Sequence, residues 1–277
     1  MVATTLEGPL VANVGSTGTQ GGSVVDHLIR SDKPYRLRGL TRNASKPKSQ
    51  ELKGKGCEVV EADVSKREDL DKAFAGADIF LYVPTFPAFI AVTDFWQHMS
   101  IEREIAGGKR LVNAAKAAGT VKLLIWSGLE SVKKITDGKY SNVDHFDGKA
   151  QVTNYTRVSG IPSSVVQALL YMSNFHLAMG LPSKNENGKA VFAFPLSGDA
   201  KMPFIDTPKD HGAFVRAAIE QLEPGTEVLA CSEQKNMSQI AAEWTEVTSI
   251  KAIFQQVSRE DFLAPFSRKH GLEGLES

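Results

Sequence analysis

Cysteine is scarce: Cys57 and Cys231 are the two in 277 residues. They form no C-x-x-C pair, and no histidine or cysteine spacing in the chain suits zinc, so neither a disulfide scaffold nor a metal site is expected. A reducing compartment is the natural setting. Net charge is lacking too, since Lys plus Arg and Asp plus Glu both number 32. Such a chain has no overall field to concentrate nucleic acid or anionic membrane at its surface, so any basic site must be local. No apolar run reaches the roughly 18 residues that cross a bilayer. Residues 1–9 also lack the basic start and apolar core of a signal segment. The expected location is the cytoplasm, or the nucleus by diffusion or association, with neither membrane nor nucleic acid as a direct partner. Fixed-period repeats and low-complexity tracts are absent as well.

What is present is the composition of an ordinary globular protein, 42% hydrophobic and 23% charged. Through the first 170 residues, short apolar runs alternate with longer helical patterns, which is how repeated βαβ units around a buried parallel sheet read. The runs are Leu10–Val14, Tyr35–Leu40, Cys57–Glu61, Ile79–Val83, Val121–Trp126 and Ser163–Ala168. Between them, helices are expected over 18–29, where Val24, Val25, Leu28 and Ile29 recur at helical spacing, and over 46–53, stopped by Gly54. A third should start at Ser65, with Glu68 completing a capping box, and end near Gly76. A fourth, 95–118, contains Gly107-Gly108 as a possible kink, and a fifth covers 147–158. Beyond residue 170 the alternation fades. Strands at 190–194 and 227–230, helices at 209–221 and 237–248, and a piece at 252–257 suit a smaller α/β lobe over the carboxyl ends of the strands, where open α/β sheets bind ligands.

The most informative segment is Gly15-Ser16-Thr17-Gly18-Thr19-Gln20-Gly21-Gly22, where the first strand turns into the first helix. Its G-x-x-G-x-x-G spacing puts residues without side chains at the tight turn, at the closest approach to a pyrophosphate and at the helix–strand contact. Amides at the helix start then face the phosphates. Gly15, Thr17, Gly18, Thr19, Gln20 and Gly21 are therefore assigned to a dinucleotide. The fold class that follows is α/β, a doubly wound parallel (Rossmann) sheet over 1–170 with a smaller α/β lobe over 171–277, interleaved with the first.

After the second strand comes Thr41-Arg42-Asn43, then Lys46 and Lys48, with no acid before Glu51. An acid there would accept from the ribose 2′-hydroxyl of NAD; a guanidinium with lysine help matches the 2′-phosphate of NADP(H). A solvated basic turn is the alternative reading. Asp63 and Val64, closing the third strand, are placed to approach the adenine, although Asp63 could equally cap the next helix. Val83, Pro84 and Thr85 end the fourth strand beside the expected nicotinamide ribose.

The glycine loop, the segment Thr41-Arg42-Asn43-Ala44-Ser45-Lys46-Pro47-Lys48, and above all His145-Phe146-Asp147-Gly148-Lys149 resemble the NmrA-like family, an atypical branch of the short-chain dehydrogenases. The likeness continues through Leu170–Phe175 and Pro203–Asp206, close to the whole chain. It implies a Rossmann domain with a small C-terminal lobe and a bound NAD(P). It also implies one of two roles: a redox sensor and regulator acting through a protein partner, or a reductase or biosynthetic enzyme acting on a small molecule.

Short-chain dehydrogenases use a Tyr-x-x-x-Lys pair on the helix after the fifth strand, which sets both side chains on one helix face. Lys149 is in place, but the residue four before it is His145. Lys149 reads as a ribose anchor and His145 as a candidate proton donor or a structural residue. Phe86, Phe89 and Trp96, with Tyr171, Asn174 and Phe175, are candidates for the wall of a substrate pocket, or for core. The leading expectation is an NADP(H)-binding redox sensor that engages a partner according to its cofactor. The alternative is an NADPH-dependent reductase or biosynthetic enzyme for a carbonyl, enone or imine. Either would be a monomer or homodimer.

Overall fold

A computed structural model describes residues 8–82, 101–177, 182–184 and 189–270. The chain divides into two compact units, Met1–Leu169 with Asp206–Ala230, and Leu170–Ile205 with Cys231–Ser277.

The first unit is built on a seven-stranded sheet of β1 (Leu10–Val14), β2 (Arg36–Thr41), β3 (Glu58–Glu61), β4 (Ile79–Tyr82), β5 (Leu123–Trp126), β6 (Ser163–Ala168) and β11 (Glu227–Ala230). The order is β11-β6-β5-β4-β1-β2-β3, and every pairing is parallel. Because β1 lies between β2 and β4, the chain reverses its direction of travel across the sheet there, and such a switch point is where open α/β sheets bind ligands. All five residues of β1 are buried, as a strand covered on both faces by helices requires.

Helix α1 (Thr19–Ile29) buries Val24, Val25 and Leu28, whereas Ile29 in its last turn is 44% exposed rather than packed. The other helices of this unit are α2 (Pro47–Gly54), α3 (Arg67–Phe74), α4 (Ile101–Ala118), the single turn α5 (Val132–Ile135), α6 (Asp144–Val158) and α8 (Thr207–Glu220). Helix α8, with β11, is a late return of the chain to this sheet. It docks on α1 through Gly212, whose amide donates to Ser23 Oγ at 2.9 Å and where a Cβ would stand 2.1 Å from Ser23 O.

Two helix details differ from the sequence reading. Ser65 and Glu68 form no capping box: α3 starts after Lys66, while Asp63 accepts from the Ser65 amide and Asp69 accepts from the Asp63 amide. Gly107-Gly108 does not divide α4, which runs unbroken through both. Gly108 instead admits α6, since a Cβ there would lie 2.6 Å from both methyls of Val152.

The second unit contains two three-stranded sheets. One is ordered β12-β10-β7, from β7 (Leu170–Tyr171), β10 (Met202–Ile205) and β12 (Glu233–Lys235). The other is ordered β13-β9-β8, from β8 (Ser183–Lys184), β9 (Ala190–Phe194) and β13 (Ala252–Gln256). With them go α7 (Asn174–Leu177), α9 (Met237–Thr248) and α10 (Arg259–His270). Phe175, Phe192, Phe194, Phe204, Met237 and Ala241 form its core. A capping box at Asn236 and Gln239 starts α9.

Candidate functional site

The carboxyl end of β1 supplies the first part of the site. Gly15 has φ +80°, a backbone that favours glycine, and its carbonyl accepts from the Gly18 amide at 2.8 Å. A Cβ on Gly21 would stand 2.3 Å from Gly15 O, so the turn closes only around a glycine. The loop is braced by Asn13 Nδ2, which donates to Gly21 O at 2.9 Å, and by Ser16 Oγ, which donates to Leu40 O at 3.3 Å. Thr17, Gly18 and Thr19 keep partial or full exposure, while Gln20 is buried and accepts from Ser127 Oγ at 2.8 Å. Helix α1 begins after Gly18 with no side-chain cap and no acid in its first turn. Its leading amides and the positive end of its dipole therefore suit an anion such as a diphosphate, so the residues present fit a dinucleotide.

Arg42 and Lys46, beyond β2, are exposed. The turn between them is ordered by Asn43, whose Oδ1 accepts from the Ser45 amide at 2.8 Å. An acid that local reading missed comes from the neighbouring strand: Glu61 is the register partner of Thr41, and its carboxylate accepts from the Ala44 amide at 3.0 Å. Asp63 spends its carboxylate on Ser65, and that hydrogen bonding, helped by Lys66 and Arg42, holds the acid below its usual range. Val64 is half-buried, and its carbonyl accepts from Arg110. Val83, Pro84, Thr85, Phe86, Phe89 and Trp96 lie outside the described residues.

The second part stands on the helices that follow β4 and β5. Lys149, in the second turn of α6, is 6% exposed, and its ammonium donates to Glu104 Oε1 at 2.5 Å and to the His145 carbonyl at 3.3 Å. The side chains of the pair retain 8% and 10% exposure. Glu104 escaped the sequence reading because it lies 45 residues from Lys149, and its one local signal is a carboxylate in the first turn of an amphipathic helix. Desolvation, followed by the nearby Lys149 charge, lowers the His145 pKa.

Two serines that follow β5 are engaged within the protein: Ser127 with Gln20, and Ser131 with Asp147 Oδ1 at 2.7 Å while it caps α5. Of the expected pocket walls, Phe175 is core, with its ring centroid 5.7 Å from Phe192 and 5.6 Å from Phe204. Tyr171 and Asn174 are half-buried in the second unit. Among the described residues, no cluster of His, Cys, Asp and Glu is fit to hold a metal, and no helix is long and apolar enough to cross a membrane.

Comparison with known proteins agrees with this geometry. The NmrA-like oxidoreductase ptmS of Penicillium ochrochloron is 29% identical over 97% of this chain and 82% of its own length. The NmrA-like oxidoreductase FrzB of a Cladobotryum species is 27% identical over 90% of this chain and 76% of its own. Among solved structures, NmrA, described as a negative transcriptional regulator and crystallised with NADP, superposes with a TM-score of 0.73 at 23% identity, covering 90% of this chain and 74% of its own. Triphenylmethane reductase of a Citrobacter species, complexed with NADP(H), gives 0.70 at 21% identity, covering 95% and 84%. The NmrA-like family as a whole matches residues 9–276, and this chain belongs to it.

Proposed function

We propose that this protein is an NADP(H)-dependent oxidoreductase for a small carbonyl, enone or imine. The observation that carries the reading is the buried Lys149–Glu104 pair, set on α4 and α6, which come after β4 and β5 in the chain. A buried charge pair on the helices of a doubly wound sheet is a candidate for a functional site. The names of the relatives ptmS and FrzB, which this chain matches along most of its length, support it. In this reading the diphosphate meets the first amides of α1, and Arg42 with Lys46 takes the 2′-phosphate. The bound nicotinamide supplies a hydride to an electrophilic carbon. Lys149 anchors the ribose, and its ammonium supplies the proton that completes the reduction, the lowered pKa of His145 making that imidazole the poorer donor.

One observation favours a second reading. His145 occupies the position of the dehydrogenase tyrosine, and the solved NmrA structures carry the description of a transcriptional regulator. Here the dinucleotide is a sensed ligand that shifts a population toward or away from binding a protein partner.

Ultraviolet absorbance of NADPH, followed with a panel of quinones, enones and imines, separates the two. Substrate-dependent loss that vanishes in Lys149→Ala supports the oxidoreductase. Inertness across the panel, together with dinucleotide-dependent capture of a protein partner, overturns it in favour of the regulator.

A further inference from the structure

In a Tyr-x-x-x-Lys dehydrogenase the lysine and tyrosine share one helix face and act on each other. Here the hydrogen bond from Lys149 to residue 145 goes to its backbone carbonyl, and the charged partner comes from another helix altogether. Three features show that the fold is built around that partner. Glu104 sits in the first turn of α4, where the helix dipole favours a carboxylate. Gly148, the residue before Lys149, leaves the space that the carboxylate occupies: a Cβ there would stand 3.2 Å from Glu104 Oε2 and 3.1 Å from Ile101 Cγ1. One turn further along each helix, Gly108 accepts Val152 in the same way and keeps α4 and α6 in close approach. The energetic case for stability alone is poor, because well-packed apolar side chains hold such a contact as well as a buried ion pair does. What an apolar pair cannot do is hold an ammonium at a fixed point.

We infer that Glu104 is the positioning residue for Lys149, standing in from α4 for the tyrosine that α6 lacks. The inference rests on the dinucleotide reading above, since the group to be met is the ribose on the nicotinamide side. Glu104 touches neither ribose nor substrate in this role; it sets where the ammonium is. The G-K dipeptide at 148–149 is then one device with Glu104, the glycine admitting the carboxylate that the lysine needs.

The test compares NADP+ with 2′,5′-ADP, which has the adenine-side phosphates but no nicotinamide ribose. Both are titrated calorimetrically into the wild-type protein, Glu104→Gln and Glu104→Asp. Loss of one charged hydrogen-bond partner predicts that Glu104→Gln weakens NADP+ about tenfold to a hundredfold while 2′,5′-ADP changes by less than about twofold, with Glu104→Asp between. In the nucleotide-free protein, reductive methylation of Lys149, read by mass spectrometry against the other lysines, should rise in Glu104→Gln and fall back in Glu104→Asp. Equal weakening of both ligands, or no change in either, overturns the positioning role. If neither ligand binds the wild-type protein, the dinucleotide reading fails on its own account, and an unaltered Lys149 methylation rate then overturns the positioning role separately. Should Glu104→Gln not fold, Glu104→Asp carries both comparisons.

Discussion

Removing the charge of Lys149 should do more harm than removing both charges of its pair. At the 2.5 Å separation seen here, the Coulomb attraction is about 7 kcal/mol with an effective dielectric near 20, and desolvating the two ions costs a similar amount. The intact pair therefore contributes little net stability. In Lys149→Met, Glu104 keeps its burial but loses the ammonium that offsets it, and the expected destabilisation is about 3–5 kcal/mol. Adding Glu104→Leu removes the stranded charge and should return most of that loss. Urea denaturation followed by circular dichroism and tryptophan fluorescence reads this directly, Trp126 being wholly buried in the same unit. A shifted midpoint at constant slope is the expected form of the change. The four proteins form a double-mutant cycle, and strong coupling between the two positions is the decisive quantity. If both single substitutions cost under about 0.5 kcal/mol and simply add, the ammonium and carboxylate are not buried against each other as described, and the reasoning fails.

Three further outcomes follow from the same structure. Gly21→Ala places a methyl 2.3 Å from Gly15 O and should cost about 1–3 kcal/mol along with most dinucleotide affinity, whereas a Cβ on Gly22 meets its nearest neighbour at an ordinary 3.6 Å, so Gly22→Ala should keep its melting temperature. Arg42→Ala should weaken NADP+ by about tenfold or more and leave NAD+ nearly unchanged in calorimetry, and equal losses would show that the guanidinium does not read the 2′-phosphate. His211 is fully buried, neither ring nitrogen has a partner among the described residues, and burial pushes its pKa down to about 4. The unfolded chain therefore takes up that proton first on acidification. The His211 contribution to stability is unchanged above about pH 6.5 and falls by about 3 kcal/mol as pH drops toward about 4. His211→Leu should flatten that part of the stability profile, as followed by denaturant midpoints across the range.

Much of the first unit was legible because its elements are locally determined. β1 and β6 match their expected runs residue for residue, although each buries polar residues as well, Asn13 in β1 and Ser164 and Gln167 in β6. The start of α1 was equally plain, set by glycines that only one turn geometry uses. Errors arose where a local signal had a competitor, either two residues away or across the fold. Ser65 looked like a cap, but Asp63 takes its amide. Gly107-Gly108 looked like a break, but the second glycine is a docking point for Val152. Phe175, which the sequence left between pocket wall and core, is held by two other phenylalanines of the core. The short strands β7, β8, β10 and β12 are too brief to carry a periodic signal.

Taken by itself, the sequence determined the alternation of strands and helices, the glycine turn at Gly15–Gly21 and the place of Lys149 on its helix. All of these depend on residues within a few turns of one another. Only the tertiary structure decided that residues 206–230 return to the first sheet, that Glu61 reaches the turn after β2, and that Glu104 is the partner of Lys149. Those three outcomes come from register, helix approach and burial acting across tens of residues. Such contacts leave no spacing to be read along the chain, because the glycines that permit them show their purpose only when the facing helix is in place.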